Sequence, residues 1–187
     1  MKQAQVLNDR DIQRVLAAIA KRRYAERDRA IFMLSLLTGM RAGEIAALRV
    51  ENVIDKEGQV RDQIQLTAAQ TKGSEARTVL LNTQAQAELA RYINRIARRG
   101  AEPLFVSNAG LQFTANSLVQ VFGRIYRNCG LDAATSHSGR RTFLTCLAHK
   151  GVGVRVLAAL AGHKNISTTQ KYLDTNANIL RAAVELL

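Results

Sequence analysis

The longest apolar run in the chain, Ile31 to Leu37, is interrupted only by Ser35. It is far too short to span a bilayer. A helix that is apolar all round is buried in a domain interior. The run therefore predicts a central core helix over about Glu26 to Leu37, stopped at Thr38-Gly39, with the other elements packed around it.

Most of those elements read as helices. Asn8 is a good N-cap, Asp11 resembles the far end of a capping box, and Ile12, Val15, Leu16 and Ile19 then recur on one face. Lys21, Arg22 and Arg23 close that helix, where cations suit its dipole. Thr83 is expected to cap a helix reaching about Arg99, with Leu89, Tyr92, Ile93 and Ile96 as its stripe. Thr114 caps another, carrying Leu118, Val121, Phe122 and Ile125 and ended by Gly130. Further helices are expected over about His137 to Lys150, with Phe143, Leu144 and Leu147 inward, and over Val154 to Ala161. Gly151 and Gly162 stop them. Ser167 is expected to cap a short helix ending near Tyr172, and Ile179, Leu180, Ala183, Val184 and Leu187 mark an amphipathic helix at the end.

One stretch breaks the helical pattern. After a turn at Asp55 to Gly58, Ile64 and Leu66 alternate with polar residues, and Thr78 to Leu81 form a second β-prone run. They predict a small antiparallel sheet with Lys72 near the hairpin tip. Pro103, the single proline, opens a short extended piece, Leu104 to Val106. The expected fold is mainly α with a small antiparallel β-sheet (α+β), as a single domain over residues 1–187.

Charge narrows the partner. Lys and Arg number 27 against 15 Asp and Glu, a net charge of +12, which points to a polyanion, nucleic acid being the commonest. Aromatic residues make up only 5% and Trp is absent, so gripping a duplex backbone fits better than stacking on bases. Cys129 and Cys146 lack metal-site spacing, and no secretory signal precedes them, so a reducing, cytoplasmic setting is expected. No metal-ligand cluster and no Walker loop is visible, so neither metal nor ATP is expected.

The chemistry-bearing residues concentrate toward the C-terminal third. His137 and Arg140 lie one helical turn apart at a predicted helix start, where free backbone N–H groups also favour an anion. Arg141 could take the place of Arg140 on charge alone; the spacing to His137 favours Arg140. His163 follows an Ala-Gly break, and Tyr172 stands beyond it. Earlier, Arg41 and Glu44 face the same side of a short helix directly after Gly39. Each taken alone has an ordinary structural reading. Together they are cations that bind phosphate, imidazoles that move protons and a phenol able to act as a nucleophile.

At these residues the chain resembles the catalytic domain of the tyrosine recombinases, the phage integrase family. The matches run in order: T-G-M-R-A-G-E at Thr38 to Glu44, T-K-G at Thr71 to Gly73, H-S-G-R-R-T-F at His137 to Phe143, A-G-H at Ala161 to His163, and S-T-T-Q-K-Y ending at Tyr172. The resemblance implies site-specific cutting and rejoining of double-stranded DNA through a 3′-phosphotyrosyl bond. Arg41 and Arg140 would hold the non-bridging oxygens, Tyr172 would attack, and Lys72 would protonate the leaving oxygen. His137 would assist proton transfer, His163 would hydrogen-bond the phosphate, and Glu44 would orient its neighbours. No metal or energy source is implied, because the protein–DNA ester conserves the phosphodiester energy. Assembly as a tetramer on DNA, with the C-terminal helix exchanged between protomers, would follow.

Two departures stand out. The family usually has Leu in its H-x-L-R motif where this chain has Gly139, a residue that costs about 1 kcal/mol against Ala inside a helix. Most members also carry an N-terminal core-binding domain, whereas this catalytic domain is expected to begin almost at residue 1, as in short recombinases or a fragment of a longer protein. The alternatives are a type IB topoisomerase, which shares the chemistry, and a non-catalytic DNA-binding regulator on the same scaffold.

Overall fold

A computed structural model describes residues 3–71, 75–170 and 172. The chain forms two compact units, Met1–Phe143 and Leu144–Leu187. Among the described residues it is mostly helical with one two-stranded antiparallel sheet.

In the first unit α1 spans Asp9–Ala20, α2 Ala25–Thr38, α3 Ala42–Ala46 and α4 Val50–Val53. Strands β1 (Gln63–Leu66) and β2 (Arg77–Leu80) follow, then α5 (Thr83–Ile93), α6 (Ala115–Asn128) and the start of α7 (Ser138–His149). As the apolar run required, α2 is central: it packs against α1, α3 and α5. Ile31 and Phe32 are fully buried, and Met33 and Leu34 nearly so. Each such side chain contributes about 1.5–3 kcal/mol of transfer free energy. Phe32 meets Tyr126 of α6 edge-on at 6.5 Å, and Phe122 stacks on Tyr126 at 6.1 Å.

The caps are those the residue types dictate. The Asn8 side chain accepts the Asp11 N–H and the Asp11 carboxylate accepts the Asn8 N–H, a reciprocal box. Thr114 and Ser117 do the same for α6. Gly39 ends α2 in the left-handed conformation at φ 65°, and a Cβ there would come within 2.7 Å of the Phe143 ring.

Two helices differ at their ends from expectation. Helix α5 is capped by Asn82, not Thr83, and ends at Ile93 instead of Arg99. Beyond it Arg98 reaches the Tyr92 hydroxyl and the Leu104 carbonyl, and the Glu102 carboxylate accepts the Arg99 N–H, so these side chains hold a turn that helix would disrupt. In the extended piece after Pro103, single bridges join Pro103 to Arg49 and Val106 to Gln112. The short helix before Tyr172 is held at its start by Asn165, whose side chain accepts the Ser167 N–H.

In the sheet Ile64 pairs with Val79 and Leu66 with Arg77. Ile64, Leu66 and Val79 are buried, so this alternation also turns Arg77 to the inner face, while Leu80 is 60% exposed. Lys72, the expected hairpin-tip residue, lies outside the described residues.

In the second unit α8 (Val154–Ala161) packs against α9 (Ser167–Gln170). Gly162 caps α8 at φ 62° and releases the chain into the loop that carries His163. The amphipathic segment from Ile179 to Leu187 lies outside the described residues. No helix among the described residues is long and apolar enough to cross a membrane.

Candidate active site

In the first unit the site is built around the end of α2. Gly39 turns the chain so that Arg41 stands at the N-cap of α3. The sequence places Arg41 and Glu44 on one helix face; the structure instead makes them the two ends of a cap. Glu44 Oε2 accepts the Arg41 backbone N–H at 2.8 Å, and Oε1 accepts from the Arg41 guanidinium at 2.8 Å. The Glu44 side chain is only 1% exposed, whereas that of Arg41 is 27% exposed. Burial alone would raise the Glu44 carboxyl; Arg77, then Arg41, outweigh it and hold the group below its ordinary value.

Arg140 is the fourth chain element's contribution to the same neighbourhood. Its guanidinium donates to the Gly39 carbonyl at 2.7 Å, two residues before Arg41, and the residue is 4% exposed. Arg141 goes elsewhere, donating to the Ala4 carbonyl at 2.6 Å. The two neighbouring arginines thus go to different places: Arg140 reaches the turn that carries Arg41, and Arg141 pins the N-terminal segment. His137 is exposed immediately before α7, its N–H donating to Thr135 Oγ1 at 3.2 Å. Arg140 thus sits in the first turn of α7, among N–H groups that favour an anion.

The same turn explains Gly139. A Cβ at that position would lie 2.4 Å from Ser35 Oγ and 3.0 Å from Ser35 Cβ. Gly139 lets α7 approach α2 closely there, with Ser35 and Ser138 both fully buried.

In the second unit His163 and Tyr172 come together. Their rings stack with centroids 6.2 Å apart and planes 13° from parallel. His163 Nδ1 lies 2.9 Å from the hydroxyl of Thr169, a residue with no exposed surface, and the Tyr172 N–H donates to the Thr169 carbonyl at 3.0 Å. Thr169 therefore holds both the imidazole and the backbone of the phenol. Tyr172 is half-buried. Tyr92 and Tyr126 are 4% and 1% exposed, and burial pushes both phenols up, which suits core residues and not nucleophiles.

The contact of Arg77 with Glu44 was not foreseen from the sequence. It donates to Glu44 Oε2 at 2.8 Å from β2, and its side chain is 12% exposed. The available signal was its spacing of two from Val79, which places it on the buried face.

Comparison with known proteins gives a consistent likeness. The model of the phage integrase family matches residues 5–178. Tyrosine recombinase XerA of Pyrococcus furiosus is 28% identical over 183 residues, covering 96% of this chain and 60% of that protein. Tyrosine recombinase XerD of Ralstonia nicotianae is 33% identical over 161 residues, covering 83% of this chain and 50% of its own length. The chain thus spans about half to three-fifths of the length of these curated relatives. The crystal structure of XerA recombinase superposes with a TM-score of 0.77 at 23% identity, over 100% of this chain and 66% of that one. The Tn1549 transposon integrase in complex with transposon right-end DNA gives 0.77 at 22% identity, over 100% and 67%. At such identities these two structures establish the fold.

Proposed function

The chain belongs to the phage integrase family, and on that premise we propose that it is a site-specific DNA recombinase, cutting and rejoining duplex DNA through Tyr172. The observation that carries this reading is the pairing of a half-buried phenol with an imidazole in one unit and of two anchored arginines in the other.

Each residue is assigned a task. Arg41 and Arg140 hold the non-bridging oxygens of the scissile phosphate, where fixed guanidinium donors stabilise the charge that develops in the transition state. Tyr172 attacks phosphorus, the bond to the 5′-oxygen breaks, and a 3′-phosphotyrosyl ester forms. His163 donates a hydrogen bond to the phosphate, and His137 assists removal of the phenolic proton. Lys72 delivers a proton to the departing oxygen. Glu44 fixes Arg41. Attack by a 5′-hydroxyl of another strand reverses these steps and regenerates Tyr172, so neither metal nor nucleotide cofactor is required.

The partner is double-stranded DNA, handled in the cytoplasm, with copies of the chain assembled as a tetramer and the segment from Asn178 to Leu187 passed between protomers. Relaxation of DNA by a type IB topoisomerase uses the same first step but no second duplex. Presenting the protein with a library of nicked duplexes, recovering covalent adducts under denaturing conditions and sequencing them tests the reading. Adducts at a shared sequence, joined through a 3′ phosphate, are expected. Adducts spread without sequence preference would favour the topoisomerase, and none at all would leave only a DNA-binding regulator.

A further inference from the structure

We infer that Arg141 and Thr142 are positioning residues for Arg140: they strap the N-terminal segment, residues 4–7, against the start of α7 and so fix the backbone from which Arg140 reaches the phosphate. The inference rests on the reading of Arg140 as a phosphate ligand.

An α-helix completes a turn in about 3.6 residues, so Gly139, Arg140, Arg141 and Thr142 point to successive sides of α7. Gly139 packs on Ser35 of α2, and the Arg140 guanidinium donates to the carbonyl of Gly39, the residue that ends α2. The next two residues turn to the N-terminal segment. The Arg141 guanidinium donates to the Ala4 carbonyl at 2.6 Å, and the Thr142 hydroxyl accepts the Leu7 N–H at 2.8 Å. The same hydroxyl donates to the Ser138 carbonyl at 2.8 Å, one turn back in the helix. This turn of α7 is thus held at α2 through two residues and at the N-terminal segment through the two that follow.

The segment can serve as a strap because it is itself anchored. Leu7 is 2% exposed and belongs to the core, and the Gln5 N–H donates to the Ala133 carbonyl ahead of α7 at 3.2 Å. Asn8 follows directly as the N-cap of α1, whose Asp11 carboxylate also accepts from the Gln5 side chain at 3.2 Å. Helix α1 in turn packs against α2. The strap therefore ties the turn carrying Arg140 back to the helix pair whose end leads into Arg41. A guanidinium that stabilises a transferring phosphate must be placed closely, since a misplacement of about 1 Å can cost roughly 10²-fold in rate. Thr142 is 2% exposed, so deleting its hydroxyl strands the Leu7 N–H as a buried donor and drives the segment and the turn apart.

The experiment is single-turnover cleavage, at saturating protein, of two nicked suicide duplexes. One has an ordinary scissile phosphate; the other has a methylphosphonate there, separated into its two diastereomers. Methyl in place of a non-bridging oxygen removes the negative charge and one of the two oxygens to be held. A defect that acts through Arg140 should therefore largely vanish on the diastereomer whose methyl replaces the oxygen Arg140 holds. Wild type is compared with Arg141→Met, Thr142→Val, Thr142→Ser and Arg140→Ala, each rate being referred to wild type on the same substrate. Arg141→Met and Thr142→Val are expected to lower the rate constant on phosphate roughly five- to fiftyfold. On one methylphosphonate diastereomer they should stay within about threefold of wild type. Thr142→Ser keeps the hydroxyl and should stay within about twofold on every substrate. Arg141 is only partly buried, so Arg141→Met carries the test should Thr142→Val fail to fold. Undiminished cleavage of the phosphate by either folded variant would overturn the inference, and so would equal losses on phosphate and both diastereomers, the pattern of a merely loosened fold. Arg140→Ala tests the reading beneath it. A loss confined to phosphate and one diastereomer supports that reading, whether or not the strap inference survives; equal losses on all substrates, or none, would overturn it and the inference with it.

Discussion

Gly139 at the start of α7 packs directly on Ser35 of α2: a Cβ on Gly139 would stand 2.4 Å from the Ser35 hydroxyl oxygen. That oxygen is buried without a hydrogen-bond partner among the described residues. Gly139→Ala should therefore cost about 1–3 kcal/mol by overpacking, offset by at most about 1 kcal/mol from the better helix former. Adding Ser35→Gly removes both offending atoms but leaves the Ser35 carbonyl carbon 3.1 Å away, so recovery should be partial. Urea midpoints for the two variants check this; an unchanged midpoint for Gly139→Ala would contradict the packing argument.

Thr169 supports the proposed catalytic pair from below. Thr169→Val keeps the shape and deletes the hydroxyl 2.9 Å from His163 Nδ1. Loss of one such hydrogen bond costs about 0.5–1.5 kcal/mol, so cleavage should slow by roughly two- to tenfold through misorientation of the imidazole. Circular dichroism should remain that of wild type. Full activity would show that the hydroxyl does not orient the ring.

Acid should weaken the fold through its buried carboxylates. Burial opposes ionisation of Glu88, but the Arg29 hydrogen bond, with Arg91 adding to it, holds the carboxyl below its usual value, as Arg77 and Arg41 do for Glu44. A lowered folded-state pKa means that the unfolded chain binds more protons, so the stabilisation is fully present above the unfolded value near pH 4.3. It is lost as pH falls through the lowered folded value. Denaturant midpoints of wild type and Glu88→Gln should differ at pH 7 and converge toward pH 3; a constant gap would contradict this.

The charge of +12 predicts DNA affinity dominated by phosphate contacts. Log affinity should fall with log salt at about −0.9 per phosphate neutralised. Fluorescence anisotropy across a salt titration gives the slope, and a flat line would remove the basic-groove reading.

What was legible in the residues, and what was not, divides along a physical line. Local chemistry could be read directly: the Asn8 and Thr114 caps, the Gly39 stop, and α2 as the core helix all appear as expected. Features decided by partners far along the chain could not. The end of α5 depends on Arg98 meeting Leu104, and the different placements of Arg140 and Arg141 depend on the Gly39 and Ala4 carbonyls. Gly139 looked like a weak spot in a helix until Ser35 supplied the reason for it. Arg77 could have been found by strand alternation, but its partner Glu44 lies on a helix that no periodicity connects to the sheet.

The central claim is that Tyr172 forms the covalent bond to DNA. Wild type and Tyr172→Phe are incubated with a nicked suicide duplex carrying the captured sequence, and the products are run on a denaturing gel. Wild type should give a protein–DNA adduct, with the DNA attached to the peptide that contains Tyr172. Tyr172→Phe should bind the duplex with similar affinity and give no adduct. An adduct of undiminished yield from Tyr172→Phe would contradict the account.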